Sequence, residues 1–270
     1  MSVNRHAQVT VFIIIAIIVV AAGGLTYVIN KNSSVDDDFF SQAKTPELNN
    51  LKDSILDCRD SGAADALETI GIQGGYYDKP LRNFDMGWAF LSYYYYEGEF
   101  LMPPKEKVQT ELSKAFDSKF TECIDKLNFD KFEVTHKTSK TKSIITKGNI
   151  LFNTDMSLSI KSDNSSSTTI EMKDAPLNVN SSLYDILEIA AYITDSHKED
   201  PNMLCVTCVA DMAEERNLYV NAFDVQESSV LYIISENYTS STLYAFDFLN
   251  KYKVNVSEVV SSVPAPTSSI

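Results

Sequence analysis

Histidine is scarce in this 270-residue sequence, and so are the motifs that would mark an enzyme. The three histidines are His6, His136 and His197, and none belongs to an HExxH metal-binding motif. A GxSxG segment, which marks the nucleophilic serine of many hydrolases, is also missing. The sequence therefore predicts a protein that is not an enzyme, with no catalytic residues, no cofactor and no metal site, unless a cysteine pair described below exchanges disulfides.

Basic residues are outnumbered, with 23 Lys and Arg against 37 Asp and Glu, and the net charge is −14. A negative field of this kind repels phosphate backbones, so a nucleic-acid partner is not expected. Residues 131–147 depart from this balance, because they contain five lysines and Glu133 is their only acidic residue. We interpret this basic stretch as a solvated hairpin face, with a ligand-binding patch as the alternative. Its lysines are Lys131, Lys137, Lys140, Lys142 and Lys147.

Charges of either sign are absent from one continuous segment, residues 9–29, which is dominated by Ile, Val and Ala. A helix of this length is about 31 Å long, close to the hydrocarbon thickness of a bilayer, which is about 30 Å. In lipid a helix satisfies its backbone hydrogen bonds internally, and this requirement outweighs the weak helix preference of Ile and Val. Residues 9–29 are therefore predicted to span the membrane, with a core helix of a soluble protein as the alternative.

The flanking charges do not decide on which side of the membrane the remaining chain lies. Arg5 precedes the span and Lys31 follows it, so the positive-inside rule counts one basic residue on each side. All four cysteines and every acidic residue follow the span. Cysteine pairs and glycosylation sequons favour an oxidising exterior. We therefore expect a single-pass protein of the cell membrane with a cytoplasmic N-terminus and an acidic extracellular domain.

The four cysteines fall into two pairs that need different explanations. Cys58 and Cys123 lie on two predicted helices, and a disulfide between them would stabilise the fold by roughly 2 to 4 kcal/mol. Cys205 and Cys208 form a CxxC motif, which suits a structural disulfide, a redox pair or half of a zinc site. Apart from the other two cysteines, the nearest further zinc ligand is His197. A thioredoxin-like redox pair needs a strand before the motif and a helix that starts at it.

Polar features after the span indicate exposure to solvent. The run of Asp36, Asp37 and Asp38 is interpreted as a solvated spacer next to the membrane, because it lacks the EF-hand spacing of a calcium site. Asn-x-Ser/Thr sequons mark candidate glycosylation sites, which are Asn32, Asn164, Asn180, Asn237 and Asn255.

Helical periodicity is clearest in the first half of the chain that follows the span. Residues 45–72 are predicted to form a helix with Thr45 as its N-cap, interrupted at Gly62 by a bend or a break. Residues 103–127 form a second predicted helix, opened by two prolines, with Cys123 on its buried face. A third helix is predicted at 183–193, with Ser181 or Ser182 as its cap.

Alternating polar and apolar residues predict half-buried antiparallel strands between residues 131 and 180, with a turn at 147–149. Three closing strands are predicted at 218–223, 230–234 and 243–248. The predicted fold class is therefore α+β, in which an N-terminal transmembrane or pilin-like helix precedes a helical region and a mainly antiparallel sheet.

Four adjacent tyrosines lie in a segment that we expect to be extended. Because side chains alternate between the faces of a strand, two rings are predicted to pack inward and two to face solvent or a partner. We interpret the run as a strand or loop that covers the core, and an aromatic binding site is the alternative. The binding candidates are Tyr93, Tyr94, Tyr95 and Tyr96.

Changes in composition divide the chain into six regions. These are a leader at 1–7, a transmembrane or filament-core helix at 8–30, a linker at 31–44, a helical, aromatic-rich region at 45–127, an α+β ectodomain at 128–252 and a flexible tail at 253–270.

The segment Arg5-His6-Ala7-Gln8-Val9-Thr10-Val11-Phe12 resembles the processing site of archaeal type IV pilin-like proteins, which carry class III signal peptides. The resemblance implies that a prepilin-type peptidase cuts between Ala7 and Gln8 and leaves the hydrophobic helix attached. A conventional signal peptidase cut after Gly23 is the alternative. The segments IGIQGGYY and YYYYEG are similar to segments of archaeal membrane-anchored proteins. This wider resemblance implies no particular activity.

Three functions remain open on the sequence. The first is a pilin-like subunit of a surface filament or cell envelope, anchored by residues 9–29 and able to form a homo-oligomer through that helix. The second is an anchored adhesion or binding module that does not polymerise. The third is a thiol-disulfide enzyme that uses Cys205 and Cys208.

Overall fold

The computed structural model describes residues 46–129, 131–162, 167–199, 204–226, 228–236 and 244–253. The predicted leader, membrane span and linker and nearly all of the predicted tail lie outside these residues. The helices are α1 (Pro46–Ile72), α2 (Lys105–Lys126), α3 (Leu183–Glu199) and α4 (Val206–Glu215). The predicted helices therefore form, α3 continues past Ile193, and α4 is an additional helix.

Twelve strands are present in the described part of the chain. They are β1 (Asn83–Asp85), β2 (Phe90–Tyr96), β3 (Glu99–Phe100), β4 (Phe132–His136), β5 (Lys140–Thr146), β6 (Asn149–Asp155), β7 (Ser157–Ser162), β8 (Thr168–Glu171), β9 (Leu177–Asn180), β10 (Leu218–Gln226), β11 (Ser229–Glu236) and β12 (Ala245–Lys251). The main sheet has the order β1-β2-β12-β11-β10, and β3 pairs with β2. Its pairs are antiparallel except β2 with β12, which run parallel. The α+β class is confirmed.

The α1 and α2 helices pack directly on each other at the centre of the molecule. Their buried stripes contain residues at helical spacing, such as Leu51 and Ile55 on α1 and Leu112 and Phe116 on α2. The predicted bend or break at Gly62 is wrong, because α1 is one continuous helix. A Cβ atom at Gly62 would lie 3.2 Å from the backbone nitrogen of Phe120, so the missing side chain lets the two helices approach closely.

The strands from β4 to β9 form two small antiparallel sheets beside this helix pair. Two three-stranded sheets, β4-β7-β8 and β5-β6-β9, are joined because only the buried Met156 separates β6 from β7. The predicted turn at 147–149 is confirmed by the β5–β6 hairpin, where Gly148 has a φ of +76°. Phe152 of β6 packs on Phe116 of α2, with ring centroids 5.0 Å apart.

One hydrophobic core joins the regions 45–127 and 128–252. Tyr94 of β2 stacks on Phe248 of β12 at 4.5 Å, and both belong to the same buried cluster as Ile55 of α1. The start of α3 follows the predicted capping arrangement, since Ser181 Oγ accepts a hydrogen bond from the backbone N–H of Leu183. The α3 helix contacts β11 of the main sheet, and its residues face the segment 100–105, which leads into α2.

Candidate functional site

The tyrosine run occupies β2, a strand inside the main sheet. Tyr93, Tyr94 and Tyr95 are 8%, 0% and 4% exposed, because side chains cover both faces of this strand. The prediction that two of the four rings face outward is therefore wrong, and only Tyr96 is partly exposed. A strand inside a sheet that is covered on both faces buries successive residues, whichever face they point to. The prediction assumed a strand with one face on the core and the other face in solvent.

The buried part of this run fixes the end of α1. The Tyr94 hydroxyl donates a hydrogen bond to the carbonyl oxygen of Gly74 over 3.1 Å, and Ser92 Oγ donates to that of Gln73 over 3.0 Å. Gly74 has a φ of +62°, and a Cβ atom there would collide with the Ser92 hydroxyl. The glycine pair of the IGIQGGYY segment is therefore explained by packing.

Tyr96 carries the remaining aromatic surface, and the protein's own cations flank its ring. The Arg82 guanidinium lies 4.7 Å and the Lys251 ammonium 4.8 Å from the ring centroid. Such contacts satisfy the electron-rich face of the ring internally. The four tyrosines therefore do not form a contiguous exposed binding surface.

The predicted disulfide between Cys58 and Cys123 is confirmed. It joins α1 to α2 with a Cα–Cα distance of 5.5 Å, and Cys58 lies in the core. Cys205 and Cys208 form a second disulfide with a Cα–Cα distance of 5.2 Å. All four cysteines of the chain lie in the described residues and all are bonded.

The CxxC disulfide lies at the exposed N-terminus of α4. Cys205 is the N-cap, and its sulfur accepts a hydrogen bond from the backbone N–H of Cys208 over 3.3 Å. Val206, between the two cysteines, is 71% exposed. A helix N-terminus stabilises a thiolate, so this position lowers the free energy of a reduced, ionised Cys205.

Two features separate this site from the alternatives considered above. The helix starts at the motif, as a thioredoxin-like pair requires, but the preceding element in the described chain is the helix α3 instead of a strand. A zinc site is not formed there, because the two sulfurs are bonded to each other and His197 Nε2 is hydrogen-bonded to Tyr252 Oη over 3.0 Å. Among the described residues, no group of three or more His, Cys, Asp or Glu side chains is placed to hold a metal ion.

Arg216 holds α4 against α3. Its guanidinium lies 3.5 Å from a carboxylate oxygen of Glu188 and 3.7 Å from one of Asp185, and it also donates to the carbonyl oxygen of Met212 at 3.0 Å. The base of the CxxC helix is therefore anchored while its first turn stays open to solvent.

A buried carboxyl lies in the centre of the main sheet. Asp247 of β12 is 5% exposed, and its cross-strand partner is Ile233 of β11. Its Oδ1 atom has no hydrogen-bond partner within the described chain. Burial raises the pKa of this carboxyl from 3.8 to about 7.

A second buried carboxyl has the opposite environment. Glu111 of α2 is fully buried and accepts hydrogen bonds from the backbone N–H groups of Tyr77 and Asp78, at 3.1 and 2.8 Å, and from Lys107 and Lys114, at 2.7 and 2.9 Å. Burial alone raises the pKa of this group, but these donors outweigh burial and lower the pKa to about 2. Glu111 thus ties the segment after α1 to α2, which is a structural role.

The remaining sequence candidates lie on the surface or outside the described residues. Asn180 is exposed at the end of β9, whereas Asn32, Asn164, Asn237 and Asn255 lie outside, as do Ala7, Gln8 and residues 36–38. The lysines of the basic stretch are all exposed, and Lys131 pairs with Glu47 at 2.9 Å. Lys140 and Lys142 point outward from β5.

A groove between α3 and the segment 100–105 was not anticipated from the sequence. Its volume is about 430 Å³, and its floor is largely apolar. Phe100, Met102, Pro103, Leu187 and Ala191 line it, with charged residues at the rim. The two adjacent prolines beside an amphipathic helix were the available signal, but sequence periodicity alone does not show that two distant segments leave a gap between them.

No family model matches the chain, and searches of curated proteins and of solved structures found no significant match. Within the described residues, none of the helices has both the length and the apolarity needed to cross a bilayer. The predicted span at 9–29 lies outside that part of the chain. A proposal on function therefore depends on the sequence features and on the geometry described above.

Proposed function

We propose that this protein is a membrane-anchored, extracytoplasmic structural protein, a pilin-like subunit of a surface filament or of the cell envelope. The observation that carries the proposal is the combination of an uncharged, Ile- and Val-rich segment at 9–29 with a folded body whose four cysteines form two disulfides. Disulfides persist outside the reducing cytosol, so this pairing supports an extracytoplasmic body.

The physical role of the N-terminal helix follows from its composition. A helix that is apolar on all sides is stable only in lipid or among equivalent helices, because both remove its side chains from water. Assembly of such helices would hold a filament together without a catalytic site. The body at 46–253 would then form the outer surface of the filament or envelope.

The processing site gives a direct test. Membranes and sheared filaments from cells that express the full chain should yield a peptide that begins at Gln8 when analysed by mass spectrometry. Substitution of Ala7 and Gln8 together by bulky charged residues should remove that peptide and leave an uncut chain in the membrane. A mature N-terminus at Gly24, after a cut that follows Gly23, in a freely secreted product would overturn the proposal.

An adhesion module based on the tyrosine run is not proposed. Three of the four rings are buried, so their substitution would create cavities in the core and destabilise the fold. An anchored protein that does not polymerise remains an outcome of the filament analysis: the peptide from Gln8 would then appear in membranes and be absent from filaments.

The exposed CxxC disulfide favours a second candidate function, thiol-disulfide exchange. In this reaction a thiolate of a dithiol partner attacks the Cys205 sulfur and releases the Cys208 thiolate. The second thiol of the partner then displaces Cys205, so the partner becomes a disulfide and both cysteines become thiols. The hydrogen bond from the backbone N–H of Cys208 and the start of α4 would stabilise the Cys205 thiolate.

The two disulfides should differ in their response to a mild reductant. We expect Cys205–Cys208 to be reduced first and Cys58–Cys123 to remain closed, because Cys205 is exposed and Cys58 is in the core. Alkylation followed by peptide mapping at rising dithiothreitol concentrations measures both. The variant with Cys205→Ser and Cys208→Ser should lose all exchange with a reduced dithiol peptide. Equal exchange by this variant, or resistance of Cys205–Cys208 up to the concentration that opens Cys58–Cys123, would contradict the second candidate.

A further inference from the structure

We infer that β10 pairs with β10 of a second copy of this chain, in an antiparallel arrangement across a two-fold axis at Asn221. The main sheets of the two copies then become one continuous sheet. This contact goes beyond the proposed function, because it is made by the folded body alone and does not depend on how residues 9–29 assemble.

The β10 strand forms a long, open edge of the main sheet. It is nine residues long and pairs, within the described chain, with β11 alone, whereas β1 and β3 at the other edge have three and two residues. Asn221, Ala222, Asp224 and Val225 are exposed. Among the described residues, no backbone hydrogen bond outside the β10–β11 ladder involves residues 220–225. An open edge presents a row of unpaired N–H and C=O groups, which is a template for another strand.

The edge at β5 shows how this fold closes an edge elsewhere. Side chains of α2 accept hydrogen bonds from alternate backbone N–H groups of β5, at 3.1, 2.9 and 2.8 Å. The donors are Thr141, Ser143 and Ile145, and the acceptors are Asp117, Ser113 and Gln109. The β5 strand also carries Lys140 and Lys142, and edge lysines oppose further pairing. The β10 strand contains neither Lys nor Pro, so its sequence does not protect its edge in this way.

The geometry of β10 selects one register for the pairing. Its ladder with β11 is regular from Leu218 to Asp224, and a bulge follows between Asp224 and Gln226. Asn221 is the middle residue of this regular stretch. A two-fold axis at Asn221 therefore uses the whole regular stretch and leaves the bulge outside. Such a contact is self-complementary and closes after two copies.

The side chains of β10 are complementary to themselves in this register. Tyr219, which is 44% exposed, lies opposite Phe223 of the second copy, and aromatic pairs at opposed positions stabilise antiparallel strands. Asn221 lies opposite its own copy, where each amide N–H can donate to the carbonyl oxygen of the other. Asp224 is the one charged residue of β10 and lies opposite Leu218, so no like charges meet.

Photo-cross-linking of the purified full chain in detergent tests this contact. Benzoylphenylalanine in place of Val225, which lies just beyond the regular ladder, should form cross-links to residues 216–219 of a second chain. Mass spectrometry of a mixture of isotope-labelled and unlabelled chains identifies these products as intermolecular.

Charge exchange at Asn221 tests the two-fold axis itself. Asn221→Lys and Asn221→Glu each place two like charges opposite each other, so either variant alone should reduce the cross-links by about tenfold or more. A mixture of the two variants pairs a lysine with a glutamate and should restore the yield to within about twofold of the unchanged protein. The matched variant Asn153→Lys, at an exposed position of β6, should leave the yield unchanged.

Two outcomes would overturn the inference. One is a set of cross-links from position 225 that reaches other surfaces or persists in Asn221→Lys alone. The other is a mixture of the two charged variants that cross-links no better than either by itself, although thermal unfolding shows both to be folded. Membranes that yield the peptide from Gln8 without these cross-links would overturn the β10 contact and leave the pilin-like proposal standing.

Discussion

Replacement of Cys58 and Cys123 together by alanine is expected to lower the free energy of unfolding by about 4 kcal/mol. The disulfide between them spans 65 residues and joins α1 to α2, the two helices at the centre of the fold. Without it, the unfolded chain gains the conformational freedom of a long open loop, and the folded state keeps only the noncovalent packing between these helices. Urea unfolding without reductant, followed by circular dichroism, measures the loss.

The second disulfide supplies the matched control for this experiment. Cys205 and Cys208 are separated by only three positions, so their link removes much less freedom from the unfolded chain. The variant with Cys205→Ser and Cys208→Ser should therefore lose less than half as much stability. Equal losses for the two pairs, or a loss below about 1 kcal/mol for Cys58 and Cys123, would show that the α1–α2 link is not the main covalent support of the fold.

Asp247→Asn is expected to stabilise the protein by at least about 2 kcal/mol at pH 8 and to remove much of the pH dependence between pH 4 and 7. Burial raises the pKa of Asp247 to about 7 in the folded state, whereas the ordinary value is 3.8. The folded protein thus holds a proton that the unfolded chain releases. The contribution of Asp247 to the free energy of unfolding is therefore most favourable below pH 3.8. It falls as the pH rises toward 7, by about 4 kcal/mol in all.

The measurement is urea unfolding of both proteins at a series of pH values, with Asp155→Asn as the control. Asp155 is exposed on β6, so its substitution should leave the slope of stability against pH as it is in the unchanged protein. An unchanged slope in Asp247→Asn would show that this carboxyl does not carry the pH dependence.

Glu111 acts in the opposite direction at lower pH. Its pKa is lowered from 4.5 to about 2, so its contribution is present above pH 4.5 and is lost as the pH falls toward 2. Taken together, Glu111 and Asp247 place the maximum of stability on the acid side of neutrality. This is compatible with a protein that works outside the buffered cytosol.

Local sequence patterns predicted the elements whose cause is local. The helical stripe of Leu51, Ile55 and Cys58 identified α1, and alternation around Ile150 and Phe152 identified β6. The pairing of Cys58 with Cys123 followed once two adjacent helices were expected. In each case the residues that determine the element lie within a few positions of one another.

Features that depend on distant contacts could not be read from the sequence. Gly62 suggested a bend, but its role is to admit the backbone of Phe120 on α2. The tyrosines suggested a half-buried strand, but β12 pairs with β2 in parallel and places the run inside the main sheet. The helix α4 is short and begins at a CxxC motif, so its periodic signal was weak. The groove arises between two segments that are 79 or more positions apart, counted from Lys105 to Tyr184.

The proposed location of the folded body outside the cytoplasm can be tested at Lys140 and Lys142, since both are exposed on β5. Intact cells that express the full chain are treated with a membrane-impermeant amine reagent, and peptides from membranes and lysates are compared by mass spectrometry. If the body is extracytoplasmic, both lysines are labelled in intact cells as fully as in the purified protein, and all four cysteines are oxidised. Labelling only after lysis, with the cysteines found as free thiols, would contradict it.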